Sequence, residues 1–174
     1  LNLFLVHGAL WLIIRTDGDL SGRAENLAGK LWPILTGVAV VFLVATFVFT
    51  PLYDNYLAYP VLFLVPAVSV AGIFGIKYFL MKKSAYLAWC ASAVTIVSCT
   101  FFGVIGLFPN LFPSSIDAAY SLTAFNASSS PLTLKIMLIV VVLFVPVVLA
   151  YQVWAYRLFS VKVTKDDLSH EVMY

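Results

Sequence analysis

Residues 131–159 read PLTLKIMLIVVVLFVPVVLAYQVWAYRLF. From Ile136 to Tyr156 this stretch contains no Asp, Glu, Lys, Arg or His, and Val, Leu and Ile dominate it. A helix of this length, rising about 1.5 Å per residue, crosses the roughly 30 Å hydrocarbon core of a bilayer. Inside lipid no water pairs with backbone N–H and C=O groups, so an unbroken apolar run there has to be helical.

Working outward, four more apolar segments share this character, at about 1–15, 33–50, 59–80 and 85–108. Apolar residues make up 63% of the chain, charged residues only 10%, and the mean hydropathy is +1.02. A soluble domain carries about a quarter charged residues. The reading is an all-α, polytopic transmembrane helix bundle, one helical domain over 1–174, whose first partner is the lipid bilayer. A net charge of +2 is too small to suggest a nucleic-acid partner. The first run, Leu1 to Ile14, falls short of the roughly twenty residues of a spanning helix and has no signal-peptide flanks. It is expected to be a helix whose start precedes Leu1.

Charge sets the orientation. Arg15, Arg23, Lys30, Lys77, Lys82, Lys83, Arg157, Lys162 and Lys165, nine of the ten cations, fall at one set of connections. The opposite connections, 51–58 and 109–131, contain none, and Lys135 sits one turn into the last segment. Cytoplasmic loops are enriched in Lys and Arg, so the first set and the tail at 160–174 are expected on the cytoplasmic side. In the first such loop, Leu20, Ala24, Leu27, Ala28 and Leu31 share a helical face opposite Arg23, Asn26 and Lys30. This predicts a short amphipathic surface helix. Tyr53, Tyr56 and Tyr59 on one side, and Trp32, Tyr78, Tyr86, Trp154 and Tyr156 on the other, suit interfacial aromatic belts.

Within the segments, Ala91, Thr95, Cys99 and Gly103 recur every fourth residue, as do Ala71 and Gly75, a spacing that lets helices approach closely. Pro66 and Pro146 are expected to kink the third and fifth helices. Cys90 and Cys99 point to opposite faces of one helix and cannot bridge. His7 is the one ionisable side chain well inside a segment; haem ligation, a proton or water relay, and structural hydrogen bonding are all open to it. Its only companion for bis-axial ligation would be His170, in the tail. Asp54 and Asp117 read as solvated loop residues. No metal cluster, phosphate loop, nucleophile triad or carboxylate pair is apparent within the membrane, so no catalytic, cofactor-binding or metal residue is assigned.

Several stretches, taken in order, resemble subunit II of the cytochrome bd-type quinol oxidases. They are His7-Gly8-Ala9; Thr16-Asp17-Gly18 with Leu20, Arg23 and Ala24; Phe108-Pro109; Pro113-Ser114-Ser115; and Asn126 to Ser130 followed by Leu132-Thr133-Leu134. The last is the run Pro146, Val148, Leu149, Tyr151, Trp154, Tyr156 and Phe159. The resemblance spans nearly the whole chain and corresponds to the C-terminal part of that subunit. It implies a quinol:oxygen oxidoreductase of prokaryotic membranes, with haems b and d and the quinol site in a partner subunit I. Subunit II pairs with that subunit as a related bundle, alongside small accessory subunits. From the residues themselves, Asn126 to Ser130 are expected to cap the last helix, which begins at Pro131. A fragment of a secondary transporter, suggested by Pro66 and Pro146, and a structural membrane subunit of another complex are the competing readings. A transporter calls for a polar midplane site, and no midplane charge is present.

Overall fold

The computed structural model describes residues 1–158 and 161–162; the remainder of the polar tail, with His170, lies outside the described residues. Helices dominate: α1 (Asn2–Arg15), α2 (Gly18–Phe49), α3 (Asp54–Ala58), α4 (Leu64–Met81), α5 (Ala85–Leu107) and α6 (Pro131–Leu158). Two short strands, β1 (Asn110–Phe112) and β2 (Leu122–Thr123), form an antiparallel pair. Four of the described helical stretches are long and apolar enough to cross a membrane, and α1 is a shorter apolar helix. The all-α polytopic bundle expected from composition is what forms. The chain makes two units, Leu1–Leu107 and Phe108–Val161.

The first unit is organised by α4 and α5, which pack antiparallel. Ser69, Gly72, Ile73 and Ile76 of α4 are buried, as are Ala88, Ser92, Thr95, Ser98 and Phe102 of α5. A methyl group added at Gly72 would collide with the Thr95 hydroxyl and lie 3.2 Å from the Ala91 carbonyl oxygen, so only glycine permits this approach. The hydroxyls on the seam donate to their own helix, Thr95 to Ala91 O at 2.9 Å and Ser98 to Val94 O at 2.7 Å. They can then be buried without leaving a polar group unpaired. The small-residue stripe expected on the third segment is corrected by one residue. Gly75 lies against Ala91 as expected, but Ala71 is exposed and Gly72 makes the closest approach, while Gly103 faces open space. The buried hydroxyl-bearing positions of α5, Ser92, Thr95 and Ser98, are three apart.

The amphipathic stretch of the first loop is helical but is not a separate surface helix. It forms the first half of α2, which continues through Pro33 to Phe49. An internal proline removes a helix hydrogen bond and costs about 3 kcal/mol in isolation. Here the adjoining turns are held from outside. Ala24 and Ala28 are buried in the first unit, and Trp32 Nε1 donates to Ile73 O at 2.7 Å. Of the expected apolar face only the two alanines are fully buried; Leu20 and Leu27 stay about half exposed, at 47% and 49%. The antiparallel turn from α1 is brief. Asp17 accepts from Gly18 N at 2.9 Å, and Gly18 adopts φ 67°, which only glycine takes without strain.

Pro66 falls in the first turn of α4, after a 3-10 turn at Pro60–Phe63, so it does not interrupt the helix. The first N–H groups of a helix lack intrahelical partners, and a proline there sacrifices little. Pro146 does lie inside α6.

At the end of this unit opposite Lys82 and Lys83, the connection between α2 and α4 folds back over α5. Asn55 Nδ2 donates to Ile105 O at 2.9 Å and Tyr56 OH to Phe102 O at 2.8 Å. Tyr56 is fully buried among Tyr53, Phe63 and Phe102, so it is a core residue and not part of an interfacial belt. Its phenol is pushed above the ordinary value by burial, with the neighbouring Tyr53 contributing.

In the second unit the β1–β2 pair organises the loop before α6. Asn126 serves that loop, accepting from Thr123 N at 2.6 Å and donating to Ser121 O at 3.0 Å. The cap of α6 is therefore Ser130 alone, whose hydroxyl accepts from Thr133 N at 3.3 Å. Asp117 caps a short turn by accepting from Ala119 N. None of the described residues of α6 is buried.

Candidate functional site: the His7 column

His7, Trp11 and Arg15 follow at intervals of four along α1 and so lie on one stripe of the helix. That stripe meets Trp89 of α5. The His7 and Trp89 rings stack with centroids 5.1 Å apart and an interplanar angle of 29°. Trp11 lies 5.3 Å from Trp89 on a tilt, and the Arg15 guanidinium carbon stands 4.6 Å above the Trp11 ring. Tyr86 stacks on Trp89 at 6.2 Å. The result is a column of π surface that begins at His7 and ends in a cation.

His7 Nδ1 is 2.7 Å from Ser92 Oγ. A serine hydroxyl has one proton to give, and Ser92 gives it to Trp89 O at 2.7 Å. Ser92 Oγ must therefore accept, so the network assigns the proton of a neutral His7 to Nδ1 and the lone pair to Nε2. The same contact survives if Nε2 takes up a proton, because Nδ1 donates in both charge states. A protonated ring would also lie against the indole face of Trp89, a favourable cation–π arrangement.

Haem held by two protein ligands needs a pair of strong axial donors. His7 is the single histidine among the described residues. Among the described residues no group of three or more His, Cys, Asp or Glu is arranged to hold a metal ion. A second histidine to pair with His7 as a bis-axial haem ligand is not found among the described residues.

Asp54 is exposed at the start of α3, and Lys135 is exposed on α6. Cys90 and Cys99 are both free thiols. Trp89 and Ser92 were not legible as partners of His7, since they come from a segment 85 residues away. The spacing of His7, Trp11 and Arg15 was the available clue to a functional stripe.

The family described as Cytochrome bd terminal oxidase subunit II matches residues 1–159. The Cytochrome bd-I ubiquinol oxidase subunit 2 of Escherichia coli (strain K12) is 29% identical over 96% of this chain and 51% of its own length. The Cytochrome bd ubiquinol oxidase subunit 2 of Bacillus subtilis (strain 168) is 28% identical over 92% of this chain and 47% of its own. The chain thus spans about half the length of the curated relatives it matches.

Proposed function

Since this chain belongs to the cytochrome bd terminal oxidase subunit II family, we propose that it forms the C-terminal part of subunit II in a membrane-bound quinol:oxygen oxidoreductase. The family match along residues 1–159 carries this reading. In it, a partner subunit I holds haems b and d and oxidises quinol, oxygen is reduced to water, and the reaction contributes to the proton-motive force. Small accessory subunits complete the assembly in a prokaryotic cell membrane. This chain contributes the scaffold: the α4–α5 seam, and the His7 column that joins α1 to α5. The distribution of Lys and Arg supports a cytoplasmic position for the Arg15–Lys30 and Lys82–Lys83 connections and for the C-terminus.

The transporter alternative rested on two broken helices. Pro66 lies in the first turn of α4, which removes one of those two interruptions, while Pro146 lies inside α6. A reduced-minus-oxidised absorption spectrum of the complex, purified from native membranes through a tag on the full-length parent chain, tests the proposal. Bands of b- and d-type haem with a co-purifying second membrane subunit are expected. A haem-free preparation with intact assembly would overturn the oxidase reading and bring the transporter forward.

A further inference from the structure

Helix α2 is longer than a membrane crossing requires. Its 32 residues make a helix of about 48 Å, against a hydrocarbon core of roughly 30 Å. All its charged residues, Asp19, Arg23, Glu25 and Lys30, lie in the first half, and none follows from Leu31 to Phe49. The boundary of the apolar layer therefore falls near Trp32. Lys77 of α4 marks the same level, with its ammonium 5.6 Å from the Trp32 ring centroid. Residues 18–30 project through the headgroup layer.

On that projecting part is a groove of about 380 Å³, walled by Leu12 of α1 and by Leu20, Arg23, Asn26, Leu27 and Lys30 of α2. Leu20, Arg23, Leu27 and Lys30 recur at intervals of three and four, so apolar and basic side chains alternate up one stripe. Leu20 and Leu27 are 47% and 49% exposed, although they lie among residues 18–30, and Leu12 of α1 beside them is 42% exposed. Glu25 points to another face, and neither Arg23 nor Lys30 engages a carboxylate among the described residues. Arg23, with Asp19 one turn before it on the same side of α2, and Lys30 thus sit with Asn26 beside half-exposed leucines at headgroup depth.

We propose that this groove binds an anionic phospholipid. Its phosphate is held between Arg23 and Lys30, with Asn26 as a neutral hydrogen-bonding partner, and its glycerol and upper acyl segments cover Leu12, Leu20 and Leu27. A water-soluble anion would use the cations but leave the leucines bare. A zwitterionic lipid would bring a third cation to a site that already has two. Basic grooves at this depth attract anionic headgroups, and each cation near the surface strengthens binding about fivefold.

The test uses the full complex in nanodiscs of phosphatidylcholine containing phosphatidylglycerol with a photoreactive diazirine near the headgroup. After irradiation, mass spectrometry is expected to find label on the peptide spanning residues 20–30. Unlabelled phosphatidylglycerol should compete it away, whereas extra phosphatidylcholine or inorganic phosphate should not. Replacing Arg23→Gln together with Lys30→Gln should reduce labelling about fivefold for each charge removed, with the haem spectrum unchanged. Equal labelling by a phosphatidylcholine probe, displacement by inorganic phosphate, or wild-type labelling of the double variant would each overturn the proposal. If the double variant fails to assemble, the headgroup preference of the wild-type complex decides. None of these readouts depends on catalysis, so a failed oxidase reading and a failed lipid site are distinguishable.

Discussion

The α4–α5 seam and α6 have similar apolar character and opposite structural fates. Along the seam, Gly72, Ser92, Thr95 and Ser98 are small or carry a hydroxyl, and backbone meets side chain at contact distance. Along α6, Val, Leu, Ile and Phe follow one another, and no described residue is buried. Lipid tails are as apolar as leucine, so hydrophobicity alone does not draw helices together in a membrane. Close shape fit and hydrogen bonding do. Small side chains create the fit on the seam, and α6 has only a few of them.

The sharpest way to break this contrast is to fill the seam. Gly72→Leu forces a branched side chain into Thr95 and the Ala91 carbonyl, and it is expected to destabilise the fold by at least about 1–3 kcal/mol. Denaturant titration of the purified complex in detergent, followed by circular dichroism, measures this. An unchanged midpoint would mean that α4 and α5 do not approach so closely.

His7→Ala removes the Ser92 hydrogen bond and the stack on Trp89 together. A loss of about 1–2 kcal/mol is expected, with turnover per assembled complex unchanged. A fall in oxygen consumption by correctly assembled complex would instead give the lone pair on Nε2 a proton-carrying role.

Tyr56→Phe deletes one buried hydrogen bond and is expected to cost about 1 kcal/mol. This site also predicts a pH dependence. Burial raises the phenol pKa in the folded chain, so the folded state holds its proton more tightly than the unfolded state. Stability from this source is fully present below the unfolded phenol value of about 10 and is lost as pH rises above it. The Phe variant should show a smaller decline above that pH; an identical decline would exclude Tyr56 as its source.

The smallest effect belongs to α6. Leu143→Ala should change the stability of the chain's own fold by no more than about 0.5 kcal/mol. A larger drop in the assembled complex would show that another protein surface covers this helix.

Much of the architecture could be read in one dimension because a bilayer constrains it so strongly. The apolar runs and the grouping of cations are local signals, each with a direct physical cause. What was not legible came from distant partners. The second half of the site, Trp89 and Ser92, is 82 and 85 residues from His7 and has no sequence feature that announces the pairing. The same holds for Asn55 and Tyr56, which look like ordinary loop residues until they are found donating to the carbonyls of α5.

The sequence by itself determined that the chain is a helical membrane bundle, since 63% apolar residues in long unbroken runs have no other low-energy arrangement in lipid. Through its ordered motifs it also pointed to the oxidase family. Only the tertiary structure decided that α2 runs unbroken through Pro33, that Gly72 and not Ala71 is the point of closest approach, and that Tyr56 is buried. Hydropathy depends on one residue at a time, whereas each of these outcomes depends on whether a neighbouring helix supplies a surface that fits.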